Sequence, residues 1–196
     1  MSTNRLEAFS DGVIAILITI MVLEFKIPHS PDWAALRPLA PVFLTYVLSF
    51  IFLGIYWNNH HHMLHITERV NGKILWANLH LLFWLSLVPF ATGWMGENHG
   101  VALPVAVYGV VLLCAAGAWS ILQALIIAHE GPNSRLRQAV GRDMKAMASL
   151  AAYVAAIPVA FVNPWISIGL YVFVALMWLA PDRRIESHVE REHPTG

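Results

Sequence analysis

The chain has 196 residues, 58% apolar and 12% charged, with a mean hydropathy of +0.60 and zero formal net charge. So much apolar surface does not fit inside a globule of this size, which excludes a soluble enzyme as well as a disordered chain. The balance of charge excludes a nucleic-acid partner, and a single cysteine, Cys114, excludes a disulfide framework or a cysteine zinc site within one chain.

A membrane-spanning helix needs roughly 17 to 25 mostly apolar residues. Six segments qualify, in the order 9–27, 39–61, 74–95, 101–128, 146–162 and 164–180. The last two are joined only by Asn163-Pro164, which suits a tight turn because proline cannot continue a helix and restricts the residue before it. The other joins are 28–38 with its three prolines, 67–73, 96–100 and the polar stretch 130–143. The expectation is an all-α polytopic membrane protein with six transmembrane helices. Residues 1–181 read as a single transmembrane unit and 182–196 as a charged C-terminal tail, with no soluble domain and no internal repeat.

Orientation follows from the lysines and arginines of the loops. With both termini cytoplasmic, the inner face carries Arg5, Arg69, Lys73, Arg135, Arg137, Arg142, Lys145, Arg183, Arg184 and Arg191, and the outer face only Lys26 and Arg37. Glu7 and Asp11 interrupt the start of the chain and no small-x-small site follows the first apolar run, so a cleaved signal peptide is not expected. The reading is a multi-pass protein of a cell inner (plasma) membrane.

Ionisable groups at membrane depth are costly and face a protein interior or a water path. Here they gather at the start of the first segment (Arg5, Glu7, Ser10, Asp11), at the end of the second (Trp57-Asn58-Asn59-His60-His61-His62, then His65) and at the start of the third (Asn78, His80). Most suit an interface with water and headgroups. Asp11 lies about two turns inside Arg5 and needs partners, for which the His and Asn groups of the second and third segments are nearest. His61 and His65 share a helical face at a spacing that can bind zinc or iron. Consecutive histidines point about 100° apart, however, and no second histidine cluster follows in the later segments. No metal site, cofactor or enzymatic motif is assigned. The alanines 148, 152, 156 and 160 form a small-residue stripe for close helix packing.

The stretch Arg5-Leu6-Glu7-Ala8-Phe9-Ser10-Asp11-Gly12, leading into the uncharged run from Val13 to Leu23, has the pattern R-x-x-x-F-S-D-G. It resembles the signature of the transmembrane protein 175 family of potassium channels, and Trp57-Asn58-Asn59-His60-His61 is similar to that family too. The resemblance implies a homotetramer in the lipid bilayer, with a central pore lined by the first helix and conducting K⁺ over Na⁺. It also implies that Phe9, Ser10 and Asp11 hold the first helix against its neighbours, with Trp57, Asn58, His61, Asn78 or His80 as partners and Arg5 anchoring the inner end. Ile16 matches the family's constricting isoleucine.

The residues agree with these implications. There is no T-V-G-Y-G stretch, so a carbonyl filter of that kind is absent. Ile16, Ile20 and Leu23 fall on one stripe of a helix, and four copies around an axis would stack apolar rings that gate by dewetting. Thr19, one position off the stripe, offers a hydroxyl to a partly dehydrated cation. A stripe of this kind otherwise faces lipid or packs, and only the resemblance turns it toward a pore. The competing reading is a proton-permeable channel or a proton-coupled carrier using Asp11 and the histidines. A carrier normally shows inverted repeats or broken helices, and neither is visible.

Overall fold

The computed structural model describes residues 3–131, 134, 136–137 and 144–179. The charged tail 182–196, and with it Arg183, Arg184 and Arg191, lies outside the described residues, as do Arg135 and Arg142. Among the described residues every element is a helix. α1 (Thr3–Ile20) continues as a 3-10 turn over Met21–Glu24, and a second 3-10 segment, Trp33–Leu39, leads into α2 (Ala40–His65). Then come α3 (Gly72–Ser86), α4 (Val88–Glu97), α5 (Ala102–Glu130), α6 (Met144–Val159) and α7 (Pro164–Leu179).

α3 and α4 are two halves of one span, Gly72–Glu97. The continuous third helix expected over 74–95 is therefore corrected: it breaks at Leu87, whose N–H reaches back only three residues to the Trp84 carbonyl. Pro89 is the cause. It has no N–H for the Leu85 carbonyl, and its ring crowds that carbonyl. The first span also differs from 9–27. It starts earlier and tightens into the 3-10 turn, so Leu23 lies beyond α1 proper. Three residues per 3-10 turn still stack Leu23 over Ile20. The turn at Asn163-Pro164 is present, with the Asn163 side chain accepting from the Trp165 N–H as Pro164 opens α7.

The spans alternate in direction. The start of α1, the end of α2, the start of α3 and the end of α5 meet at one end of the bundle, where Asn71 bonds His129 and the Glu68 N–H bonds the Glu130 carboxylate. At the other end Lys26 pairs with Glu97 at 2.7 Å, and the Glu24 carboxylate lies against Gly93 of α4. That hydrogen bond and charge hold the Lys26 ammonium above the usual lysine range. Arg5, Arg69 and Lys73 thus sit at the first end, and Lys26 and Arg37 at the second.

α5 is the central post, packed against α3, α4, α6 and α7. Its 29 residues extend about 43 Å at 1.5 Å per residue, more than the roughly 30 Å hydrocarbon layer. The interior joins Leu53, Ile74, Leu81, Leu85, Leu112 and Leu122, all fully buried. Hydroxyls thread this apolar interior in mutual pairs: Thr92 donates to Ser49 at 2.6 Å, Ser49 lies 2.9 Å from the Tyr108 hydroxyl, and the Tyr171 hydroxyl donates to the Val105 carbonyl. Of the alanine stripe, Ala156 and Ala160 are buried, Ala152 is half-buried and Ala148 is exposed. The outer helices are different. Only 28% of the apolar window of Thr3–Glu24 and 22% of that of Trp33–His65 is buried, so the rest must meet lipid or another chain.

The absent side chain of Gly109 makes room for Tyr171: a methyl group there would overlap the Tyr171 hydroxyl and lie 3.2 Å from Ile157 Cγ1. Gly109→Ala is expected to destabilise the bundle by about 1–3 kcal/mol, whereas Gly117→Ala, on the same helix with nothing within 4 Å, is expected to leave thermal stability at or above wild type. Thermal melts of the two detergent-solubilised variants check this.

Candidate functional site

The start of α1 has two faces, set by about 100° per residue. Leu6, Ser10, Ile14 and Leu17 recur at four, four and three residues and are buried against the rest of the chain. The adjoining side, about 80–120° round the helix from Ser10, carries Phe9, Ile16 and Ile20, with Leu23 above them, at 51%, 60%, 39% and 78% exposure. Gly12 and Arg5 are exposed as well. The face that bonds and the face that could line something are therefore distinct.

On the buried face a chain of polar groups ties three helices together. The Ser10 hydroxyl donates to the Leu6 carbonyl at 2.9 Å, so its oxygen is left to accept, and the Asn78 amide donates to it at 2.9 Å. That fixes the Asn78 carbonyl oxygen toward α2, where His60 Nε2 approaches it at 2.7 Å. A carbonyl oxygen only accepts, so His60 carries its hydrogen on Nε2. Ser10, His60 and Asn78 are all fully buried, and the His60 ring lies 6.4 Å from that of Trp119 on α5.

Beside this chain runs a ladder of rings on α2. His61 stacks between Trp57, at 6.2 Å and 26°, and His65, at 6.1 Å and 20°, the three residues recurring every four positions. Glu7 and Asp11 of α1 face the ladder. Glu7 Oε1 is 2.8 Å from His61 Nδ1. Asp11 Oδ1 is shut off from solvent and accepts no hydrogen bond.

The structure thus brings Ser10 to Asn78 and Asp11 to the neighbourhood of His61. It places the remaining candidates apart from that group. His80 is exposed and accepts from Trp84 Nε1 at 2.9 Å, one turn along its own helix. Asn58 is exposed, and Phe9 turns away from the chain's own interior because it lies about 100° from Ser10. His60, which sequence reasoning did not name as a partner, is the α2 residue that bonds Asn78. A signal existed: His60 lies seven residues after Leu53 and four before Leu64, in line with two buried leucines. Thr19 is exposed beside Ile16 and Ile20, its hydroxyl donating to the Ile16 and Ala15 carbonyls at 2.9 and 3.1 Å.

The comparisons bear on this same region. The family described as "Endosomal/lysosomal potassium channel TMEM175" matches residues 5–89, which contain the whole polar chain and the exposed stripe. A potassium channel of Chryseobacterium sp. (strain P1-3) is 54% identical over 190 residues, covering 97% of this chain and 99% of that one. The chain belongs to the TMEM175 family of ion channels. The crystal structure of a lysosomal potassium-selective channel TMEM175 homolog from Chamaesiphon minutus superposes with a TM-score of 0.79 at 28% identity, covering 90% of this chain and 96% of that one. The Homo sapiens TMEM175, described as an endosomal/lysosomal proton channel, is 35% identical over 96 residues, 42% of this chain and 19% of its own length.

In this TMEM175 chain Asn78→Ala orphans two buried groups at once, the Ser10 oxygen and the His60 Nε2 hydrogen. Each costs about 1–3 kcal/mol. Asn78→Ala is expected to lower the melting temperature and the folded yield sharply, while His80→Ala is expected to change either little. Fluorescence-detected size exclusion after heating checks both.

Proposed function

We propose that four copies of this chain surround a potassium-permeable pore lined by α1, with Ile16, Ile20 and Leu23 as its apolar constriction. The observation that supports this most directly is the exposed stripe on the face of α1 that adjoins the buried Ser10 face. A lone six-helix chain has no symmetry with which to enclose a pore, and a stripe offered outward by the signature helix suits an axis shared with other copies. The relatives from Chryseobacterium and Chamaesiphon carry potassium conduction in their descriptions.

In that arrangement Ile16 forms the narrowest ring, with Ile20 and Leu23 stacked toward the outer mouth. A ring of branched apolar side chains holds no hydration shell, so an ion sheds water or the ring widens, and the ring acts as barrier and gate together. The Thr19 hydroxyl spends its hydrogen on the backbone, which leaves oxygen lone pairs for a partly dehydrated cation. The signature residues act one layer out: Ser10, through Asn78, sets the rotation of α1. The end that carries Arg5, Arg69 and Lys73 is cytoplasmic, by the preference of basic loops for that side, and the host is the plasma membrane.

Proton permeation is the second reading, favoured by the description of the human relative as a proton channel and by the titratable side chains of Glu7, Asp11 and His61 gathered where α1 meets α2. Reversal potentials in liposomes under opposed K⁺ and H⁺ gradients separate the two. A K⁺ pore follows the K⁺ gradient alone.

Two outcomes are expected. Native mass spectrometry of the purified protein gives four copies; a dimer or monomer contradicts the shared axis. In liposome flux assays at matched protein density, Ile16→Asn wets the ring, raises K⁺ flux and weakens discrimination against Na⁺, while Val22→Ala changes neither. Equal fluxes and selectivity in wild type and Ile16→Asn place the pore elsewhere.

A further inference from the structure

Glu7 and Asp11 lie one turn apart on α1, and both face His61 of α2. One oxygen from each carboxylate and one imidazole nitrogen all lie within 4.8 Å of one another. His61 Nδ1 is 2.8 Å from Glu7 Oε1, yet that approach lacks the direction of a hydrogen bond, and both His61 Nδ1 and Asp11 Oδ1 are shut off from solvent without a hydrogen-bond partner. Among the described residues, Glu7 pairs with His61 alone, Asp11 makes no ion pair, and neither carboxylate is paired with a lysine or arginine. Two acidic side chains at the edge of an apolar bundle therefore lie beside one imidazole and no permanently cationic side chain, an arrangement that is costly unless something else is bound there.

We propose that Glu7, Asp11 and His61 form a binding site for a divalent transition-metal ion, best matched by zinc, that ties the start of α1 to α2. The donor set selects the metal class. One imidazole nitrogen with two carboxylate oxygens suits zinc, whereas calcium takes six to eight oxygens and magnesium keeps mostly water. The spacing also suits. Bonds of about 2.1 Å in a tetrahedral centre hold neighbouring ligand atoms about 3.4 Å apart, so three donors already within 4.8 Å need only rotamer-scale tightening. Stacking between Trp57 and His65 holds the His61 ring in plane. The side chains of His61 and Glu7 keep 42% and 17% exposure, which leaves a route in and room for a water as fourth ligand. The histidine spacing does not reveal this site, because two of its three donors are carboxylates on another helix.

The site depends only on the packing of α1 against α2, so it stands or falls separately from the potassium pore. The test is equilibrium dialysis of the untagged full-length protein in detergent against Zn²⁺, with bound zinc counted by atomic absorption. Wild type is expected to hold one zinc per chain at a saturable site. Glu7→Gln and His61→Gln each weaken that binding at least tenfold, and His62→Gln, one position round the helix, leaves it unchanged. Glu7 lies outside the buried Ser10–Asn78–His60 chain, so Glu7→Gln keeps the fold available for measurement. A second readout is thermal: zinc raises the melting temperature of wild type and His62→Gln by several degrees and leaves Glu7→Gln where it was. Wild-type affinity in Glu7→Gln and His61→Gln, equal loss in His62→Gln, or no saturable zinc on wild type overturns the proposal.

Discussion

A polar group buried between packed helices draws its partners from the few helices beside it, and Asn78 meets that constraint for three of them. Its amide has one donating and one accepting end. The donating end is taken by Ser10 on α1 and the accepting end by His60 on α2, while its own backbone belongs to α3. Neither end can be exchanged, since the Ser10 hydrogen is committed to Leu6 and the His60 hydrogen has nowhere else to go. A rotation of α1 by even one residue would carry Ser10 away by about 100° and strand both partners. The apolar contacts around it, Leu6, Ile14 and Leu17, favour the same face but would tolerate sliding; the directional bonds do not. What α1 exposes on its far side is thus decided by what it bonds on its near side.

Much of the architecture was legible because membrane physics writes it in long runs. Six apolar stretches all become helical, four of them long enough to cross a membrane and the last two shorter apolar helices, and Asn163-Pro164 becomes a turn for the reason that proline supplies. Hydropathy is blind to the hydrogen bonding within a run, which is why the break at Leu87 was not read although Pro89 stood in plain sight. At the site, Ser10 and Asn78 were named because isolated polar residues in apolar helices stand out. Among three consecutive histidines, the one that faces inward depends on how α2 lies against α3 and α5, and the composition of the run does not encode that. His80 illustrates the converse. It stands at the same level as the signature but on the outside of α3, where Trp84 takes it up. The stripe of Ile16, Ile20 and Leu23 was visible as a stripe, yet an apolar stripe has the same appearance whether it meets lipid, protein or an axis. Only the burial of the neighbouring Ser10 face tells that it is left outside the chain's own interior.

The divided third span carries a mechanical consequence. The early part of α1 is bonded to α3 through Ser10, whereas its far end, at Glu24 and Lys26, rests on α4 at Gly93 and Glu97. Between those two supports the third span lacks a continuous ladder of backbone bonds, because of Pro89. A rod clamped at both ends to one stiff beam could move only as a whole. Attached instead to two shorter beams that meet where the ladder is interrupted at Leu87, the first span rests on a support less stiff in bending than a continuous helix. The two attachments of the first span are thus tied to separate halves of the third.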